Sequence, residues 1–164
     1  MESIYKKLRE RYRPSKIDIL FIAEAPPLPR DTSKPIPYFY NKDSDRPRGL
    51  YRRMAKALNL KGSKSEGLKQ FRGRSMWLTD FFDEPLKTMQ VERIEGHLNR
   101  LFREIEETHP RKIVTLLPNR KQNQVLLYFL KRQVPPDVRI FSTNPWRGTE
   151  ENLRKFLVNV LAVL

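Results

Sequence analysis

The chain contains no cysteine, which excludes disulfides, thiolate zinc sites, cysteine-ligated iron–sulfur clusters and a cysteine nucleophile. It contains two histidines, His97 and His109, so a multi-histidine metal centre is nearly excluded as well. No apolar run approaches the about 18 residues of a membrane span, and the N-terminus has no signal-peptide core. The expectation is a soluble, cytoplasmic protein without a membrane partner. Glycine is scarce, 6 residues against 13 prolines, which predicts stiff loops. Neither a Gly-rich dinucleotide loop nor a phosphate-cradling P-loop is present, so no nucleotide cofactor is expected.

Acidic residues are also few. Lys and Arg number 33 and Asp and Glu 19, a net charge of +14. The imbalance is lopsided: residues 1–74 hold 19 of the basic and 8 of the acidic residues, densest from Arg46 to Arg74. Such a field concentrates polyanions and speeds their capture, so nucleic acid is the expected partner. A solvated face kept soluble by charge is the plainer alternative. Apolar residues make up 38% of the 164-residue chain, and they are clustered, which favours a folded core over disorder. The length suits one domain, 1–164, acting as a monomer.

Ser3 caps a short expected helix carrying Ile4, Leu8 and Tyr12, and Pro14 ends it. The run from Ile17 to Ala23 reads as a strand buried on both faces. Residues 24–47 are proline-rich and cannot form a helix or a central strand. Helical spacing resumes from Gly49 to Leu58, and Asn59 to Arg74 reads as a basic loop. Met76 to Phe82 is a second expected strand. Val91, Ile94, Leu98, Leu101, Phe102 and Ile105 then mark one amphipathic helix ending near His109. Lys112 to Leu117 and Val138 to Ser142 are further strands, with helices over Lys121 to Arg132 and from Thr149 to the C-terminus. Strands alternating with helices predict an α/β fold, a three-layer α/β/α domain with a four-stranded parallel sheet.

Ligands of such sheets bind at the carboxyl ends of the strands, which directs attention to four loops. The first runs from Glu24-Ala25-Pro26-Pro27 to Tyr38-Phe39-Tyr40-Asn41. The second begins at Asp80, the third is Pro118-Asn119-Arg120, and the fourth is Asn144-Pro145-Trp146-Arg147. Acids, amides, aromatics and arginine meet there, as a planar, hydrogen-bonding ligand beside a polyanion would require.

In this arrangement the chain resembles the uracil-DNA glycosylase superfamily over roughly residues 17–157. The strand Ile19-Leu20-Phe21-Ile22 leads into Ala23-Glu24-Ala25-Pro26-Pro27, similar to that family's Gly-Glu-Ala-Pro-Gly. Phe39 falls where the family places an aromatic that stacks on the extruded base. Asp80 stands where it uses an Asn to read the base edge. Asn144-Pro145-Trp146-Arg147 resembles its closing His-Pro-Ser or Asn-Pro-Ser motif with a following wedge residue. Ala23 and Pro27 replace glycines, and cluster-binding cysteines are missing, so the resemblance is to a cluster-free branch.

The resemblance implies hydrolysis of an N-glycosidic bond to a deaminated or damaged base in single- or double-stranded DNA, without metal or cofactor. Glu24 would orient water and offset the developing oxocarbenium charge, and Asn144 would stabilise the departing base. Ala25, Phe39, Asn41 and Asp80 would contact the substrate. Arg46, Arg48, Arg52, Arg53, Arg120, Trp146 and Arg147 would contact nucleic acid. Bland readings stand beside these: Glu24 as an ion-pair acid, Phe39 as part of a loop's own core, Asn144 as a turn residue, Asp80 as a partner for Lys or Arg. His97 and His109 read as structural or solvated. Two other functions fit the same residues. One is a Mg²⁺-dependent nuclease using Glu24, Asp80, Asp83, Glu84 and Lys87, whose Glu84-to-Lys87 spacing is one residue off the Glu-x-Lys pattern. The other is a non-catalytic nucleic-acid binder of the same fold.

Overall fold

The computed structural model of the protein describes residues 2–86 and 94–163. The expectations for Lys87 and Val91 lie outside these residues. The element order is α1 (Ile4–Glu10), β1 (Ile19–Ala23), α2 (Leu50–Ala57), α3 (Lys64–Gly73), β2 (Met76–Asp80), α4 (Ile94–Thr108), β3 (Lys112–Thr115), α5 (Arg120–Gln133), β4 (Arg139–Ser142) and α6 (Glu150–Ala162). The strands form one all-parallel sheet in the order β2-β1-β3-β4. Helices cover both faces, giving the three-layer α/β/α architecture.

Burial explains the strand sequences. All residues of β1, β2 and β3 are buried, as continuous apolar runs in a doubly covered sheet require. The edge strand β4 is intermediate to exposed and correspondingly less apolar, beginning with Arg139. Phe21, Trp77, Leu101 and Leu126 are among the fully buried side chains of a core that runs through both faces. The helices start where local chemistry allows. Ser3 accepts from the Tyr5 amide at α1, Asn119 from Gln122 at α5, and Thr149 from Asn152 at α6.

One expectation is corrected. Residues 64–73 are not a basic loop but the helix α3, which packs against β2. Ser63 and Glu66 form a reciprocal capping box, the Ser63 hydroxyl accepting from the Glu66 amide and the Glu66 carboxylate accepting from the Ser63 amide at 2.7 Å. Strand ends are also shorter than the apolar runs. β2 stops at Asp80 and β3 at Thr115, although Phe81, Phe82, Leu116 and Leu117 stay buried. Among the described residues, no helix is long and apolar enough to cross a membrane.

The sheet order has a consequence for function. The chain steps from β1 to β2 on one side and then returns past β1 to place β3 on the other. The loops after β1 and β3 therefore leave in opposite directions and open a crevice at their carboxyl ends. Register brings those ends level, with Ala23 opposite Asp80, Ile22 opposite Thr115, and Thr115 opposite Ser142.

Candidate functional site

At this edge, Phe81 donates its amide to Ala23 O (2.8 Å) and Phe82 donates to Glu24 O (2.9 Å). These two bonds splice the loop after β1 to the loop after β2 and fix the backbone of Glu24 beside that of Asp80. A cavity of about 580 Å³ opens here, within the range of small-molecule sites. Its wall includes Glu24, Ala25, Phe39, Lys64, Asp80 and Trp146, with Arg46 and Arg48 also contributing.

Asp80 sits deep, with 2% of its surface exposed. The Tyr38 hydroxyl donates to its Oδ2 at 2.9 Å, and Oδ1 has no hydrogen-bond partner among the described residues. Burial pushes its pKa up to about 6, against the Tyr38 hydrogen bond and the Arg9 and Arg100 charges, which pull it down. Burial, reinforced by the Asp80 charge, also pushes the Tyr38 hydroxyl well above its ordinary value, so it stays protonated and donating. Arg100 holds the backbone behind this acid: it donates to the carbonyls of Asp80 and Phe81 and pairs with Asp83 (2.6 Å) and Glu104 (3.2 Å).

Glu24 is different in kind. It is half-buried, and its carboxylate makes no hydrogen bond or ion pair among the described residues. Burial alone raises its pKa. With 33 basic residues in the chain, an acid facing a cavity without a cationic partner is not the ion-pair acid of the bland reading.

Phe39 belongs to the loop's own aromatic core and also lines the cavity. It is 6% exposed, meets Tyr40, Tyr51 and Phe71 edge-on at 5.0–5.6 Å, and contributes to the cavity wall. Asn41 is displaced from its expected place. Its side-chain nitrogen donates to Ile36 O (2.8 Å) and its side-chain oxygen accepts from the Asp43 amide, bracing the loop away from the cavity. Asn144 does not line the cavity either. Its Oδ1 accepts from the Trp146 amide at 2.9 Å and its Nδ2 donates weakly to Pro118 O, the self-bonded turn that an Asn-Pro start favours.

The basic residues divide by what they touch. Arg46 and Arg48 are exposed at the cavity. Arg52 makes a two-pronged pair with Asp45, at 2.7 and 2.5 Å. Arg53 donates to Pro145 O (3.1 Å) and lies 4.9 Å from the centroid of the Trp146 ring, so it props up the fourth loop rather than reaching outward. Trp146 remains 42% exposed. Arg120, the first residue of α5, and Arg147, in the fourth loop, are exposed without lining the cavity. His97 packs edge-on against Phe82 at 5.0 Å, and His109 ends α4 in a left-handed conformation at φ 46°. Neither lines the cavity. Among the described residues no three His, Asp or Glu side chains gather as a metal site, and Asp83 is engaged by Arg100.

Sequence reasoning missed Lys64, Tyr38 and Tyr51. Lys64 is 8% exposed, and its Nζ donates to Tyr38 O (2.9 Å) and Ser44 O (2.6 Å) at the cavity wall. The Ser63-x-x-Glu66 capping signal was available to place it at a helix start. Nothing in the sequence marks which lysine of a basic stretch turns inward.

Compared with family models, curated proteins and solved structures, the chain matches none.

Proposed function

We propose that the cavity receives one base turned out of a DNA strand and that the protein hydrolyses its N-glycosidic bond, acting as a monomer without metal or cofactor. The observation that carries this reading is the composition of a single cavity. Glu24 faces it without a partner among the described residues, Phe39 and Trp146 offer aromatic surface, Asp80 offers a buried hydrogen-bonding edge, and Arg46 and Arg48 stand beside it. The order of the four loops along the chain also matches the resemblance to the uracil-DNA glycosylase superfamily.

Chemistry follows from these environments. Departure of the base leaves positive charge on the sugar, and a nearby carboxylate in a poorly hydrated cavity stabilises that charge without reorganising. Glu24 also accepts a hydrogen bond from the attacking water. Asp80 reads the base: neutral, it donates to a carbonyl edge such as O4 of uracil, and ionised, it repels that edge. Extrusion costs a few kcal/mol of unstacking, least for a mismatched or damaged base, which itself selects deaminated bases. Phosphate contacts from the exposed arginines offset that cost.

Asn144 and Asn41 enter this mechanism only indirectly, through the turns they brace. The commitment of Asn144 to its turn favours the second reading, a binder of the same fold without chemistry. One assay separates them. Labelled single- and double-stranded oligonucleotides carrying uracil, hypoxanthine or xanthine are incubated with protein and then treated with alkali. Strand scission at the modified position supports the glycosylase; salt-sensitive binding with no scission for any base supports the binder.

A further inference from the structure

Lys64 is a buried amine that the proposed hydrolysis does not use. It is the first residue of α3, held there by the Ser63 capping box, and it reaches the wall of the same cavity as Glu24 and Asp80. Its ammonium has no carboxylate partner among the described residues; its acceptors are the carbonyls of Tyr38 and Ser44, with the Tyr51 ring 5.0 Å away. A buried cation compensated only by dipoles and an aromatic face is poorly stabilised in its charged form. Accordingly burial lowers its pKa to about 8; the Asp45 charge opposes this and the Arg52 charge adds to it. The two carbonyls account for two N–H donors. A neutral amine satisfies both and keeps its lone pair, whereas a lysine whose role is to hold charge is better served by an anionic partner.

We infer that Lys64 is a nucleophile toward an aldehyde in this cavity, and that the substrate is the ring-opened deoxyribose of an abasic site. This rests on the reading of the cavity as the place where a DNA sugar is held. Nitrogen attacks C1′ and the carbonyl oxygen takes up a proton, giving a carbinolamine. Loss of water, with Glu24 as proton donor, gives a protonated imine. The Glu24 carboxylate, ionised by that donation, then takes a C2′ proton, and the electron pair released expels the 3′-phosphate and nicks the strand. Water hydrolyses the remaining imine and releases the amine, so no oxidant or reductant is consumed.

Preformed natural abasic sites test this independently of base excision. A labelled oligonucleotide carrying one such site is incubated with full-length protein and sodium borohydride, which reduces an imine to a stable amine. A covalent adduct whose modified peptide, read by mass spectrometry, contains Lys64 is the expected result, with nicking of the strand when borohydride is left out. Lys64→Arg keeps the charge but cannot form the imine, and its adduct is lost. Absence of an adduct from the wild type, an adduct on another lysine, or equal trapping of a tetrahydrofuran analogue, which has no aldehyde, each overturns the proposal. Peptide mapping uses the wild type and so holds even where Lys64→Arg does not fold. Excision on the base panel is scored separately: a protein that traps abasic DNA but removes no base contradicts the hydrolytic reading and leaves this one standing.

Discussion

At Asp80 the pH dependence of stability and the proposed base choice rest on the same carboxyl group. It is buried, accepts from Tyr38, and has a pKa raised from 3.8 to about 6. Because the folded state holds this proton more tightly than the unfolded chain, the folded protein carries more protons between about pH 4 and 6. Stability from this group is therefore greatest in acid and falls as pH rises through that window. Asp80→Asn keeps an acceptor for Tyr38 and removes the charge. We expect it to match the wild type near pH 4 and to be more stable by about 2–3 kcal/mol above pH 6, as the size of the shift implies. Thermal melts of both proteins from pH 4 to 8 check this, and a difference independent of pH would contradict it. Under the proposed function the same chemistry would set base choice. Wild-type excision of uracil should rise as pH falls through about 6, where Asp80 becomes a donor, and Asp80→Asn should raise it at neutral pH by about 10-fold, the worth of one hydrogen bond. If neither pH nor the substitution changes base preference, Asp80 does not touch the base.

Elements differ in how openly the sequence declares them. β1 and β2 are legible because parallel strands buried on both faces are continuous apolar runs, and their carboxyl ends lead to Glu24 and Asp80. The helix α3 is obscured by Gly62, Gly67 and Gly73 and by its many lysines and arginines, which together resemble a basic loop. Gly67 answers to a tertiary demand instead. A Cβ at this position would lie 2.0 Å from Tyr51 Oη, so the small residue lets α2 and α3 approach beneath the cavity. That approach, and with it the inward turn of Lys64, depends on packing between distant segments and cannot be read from local pattern. Gly67→Ala gains about 1 kcal/mol of helix propensity in isolation. Here it should instead destabilise the protein by about 1–3 kcal/mol, since the rigid Tyr51 ring must move. Chemical denaturation measures the sign, and a net gain in stability would show that Tyr51 yields freely. The turn role of Asn41 was likewise hidden, and that of Asn144 stood as one of two open readings, because Asn before a turn and Asn facing a ligand look alike in sequence.

For the molecule as a whole, the net charge of +14 is legible at once, whereas its division into exposed and internally engaged arginines is not. Arg52 is neutralised by Asp45 and Arg53 supports Trp146, leaving Arg46 and Arg48 exposed at the cavity. Replacing Arg46 and Arg48 by Ala should flatten the dependence of log affinity on log salt by about 2, close to 0.9 for each phosphate that is no longer neutralised. Replacing Arg52 should change it less. Fluorescence anisotropy with DNA across a salt series distinguishes the two, and a wild-type slope near zero removes nucleic acid from the account. The central claim is that this cavity breaks a glycosidic bond with Glu24 as its charged group, and Glu24→Gln tests it most directly. The substitution preserves shape and removes the negative charge. Single-turnover excision of the preferred base should fall by about two orders of magnitude, as for loss of one preorganised electrostatic group, while DNA affinity holds or rises slightly. Equal excision rates for the two proteins would contradict the account.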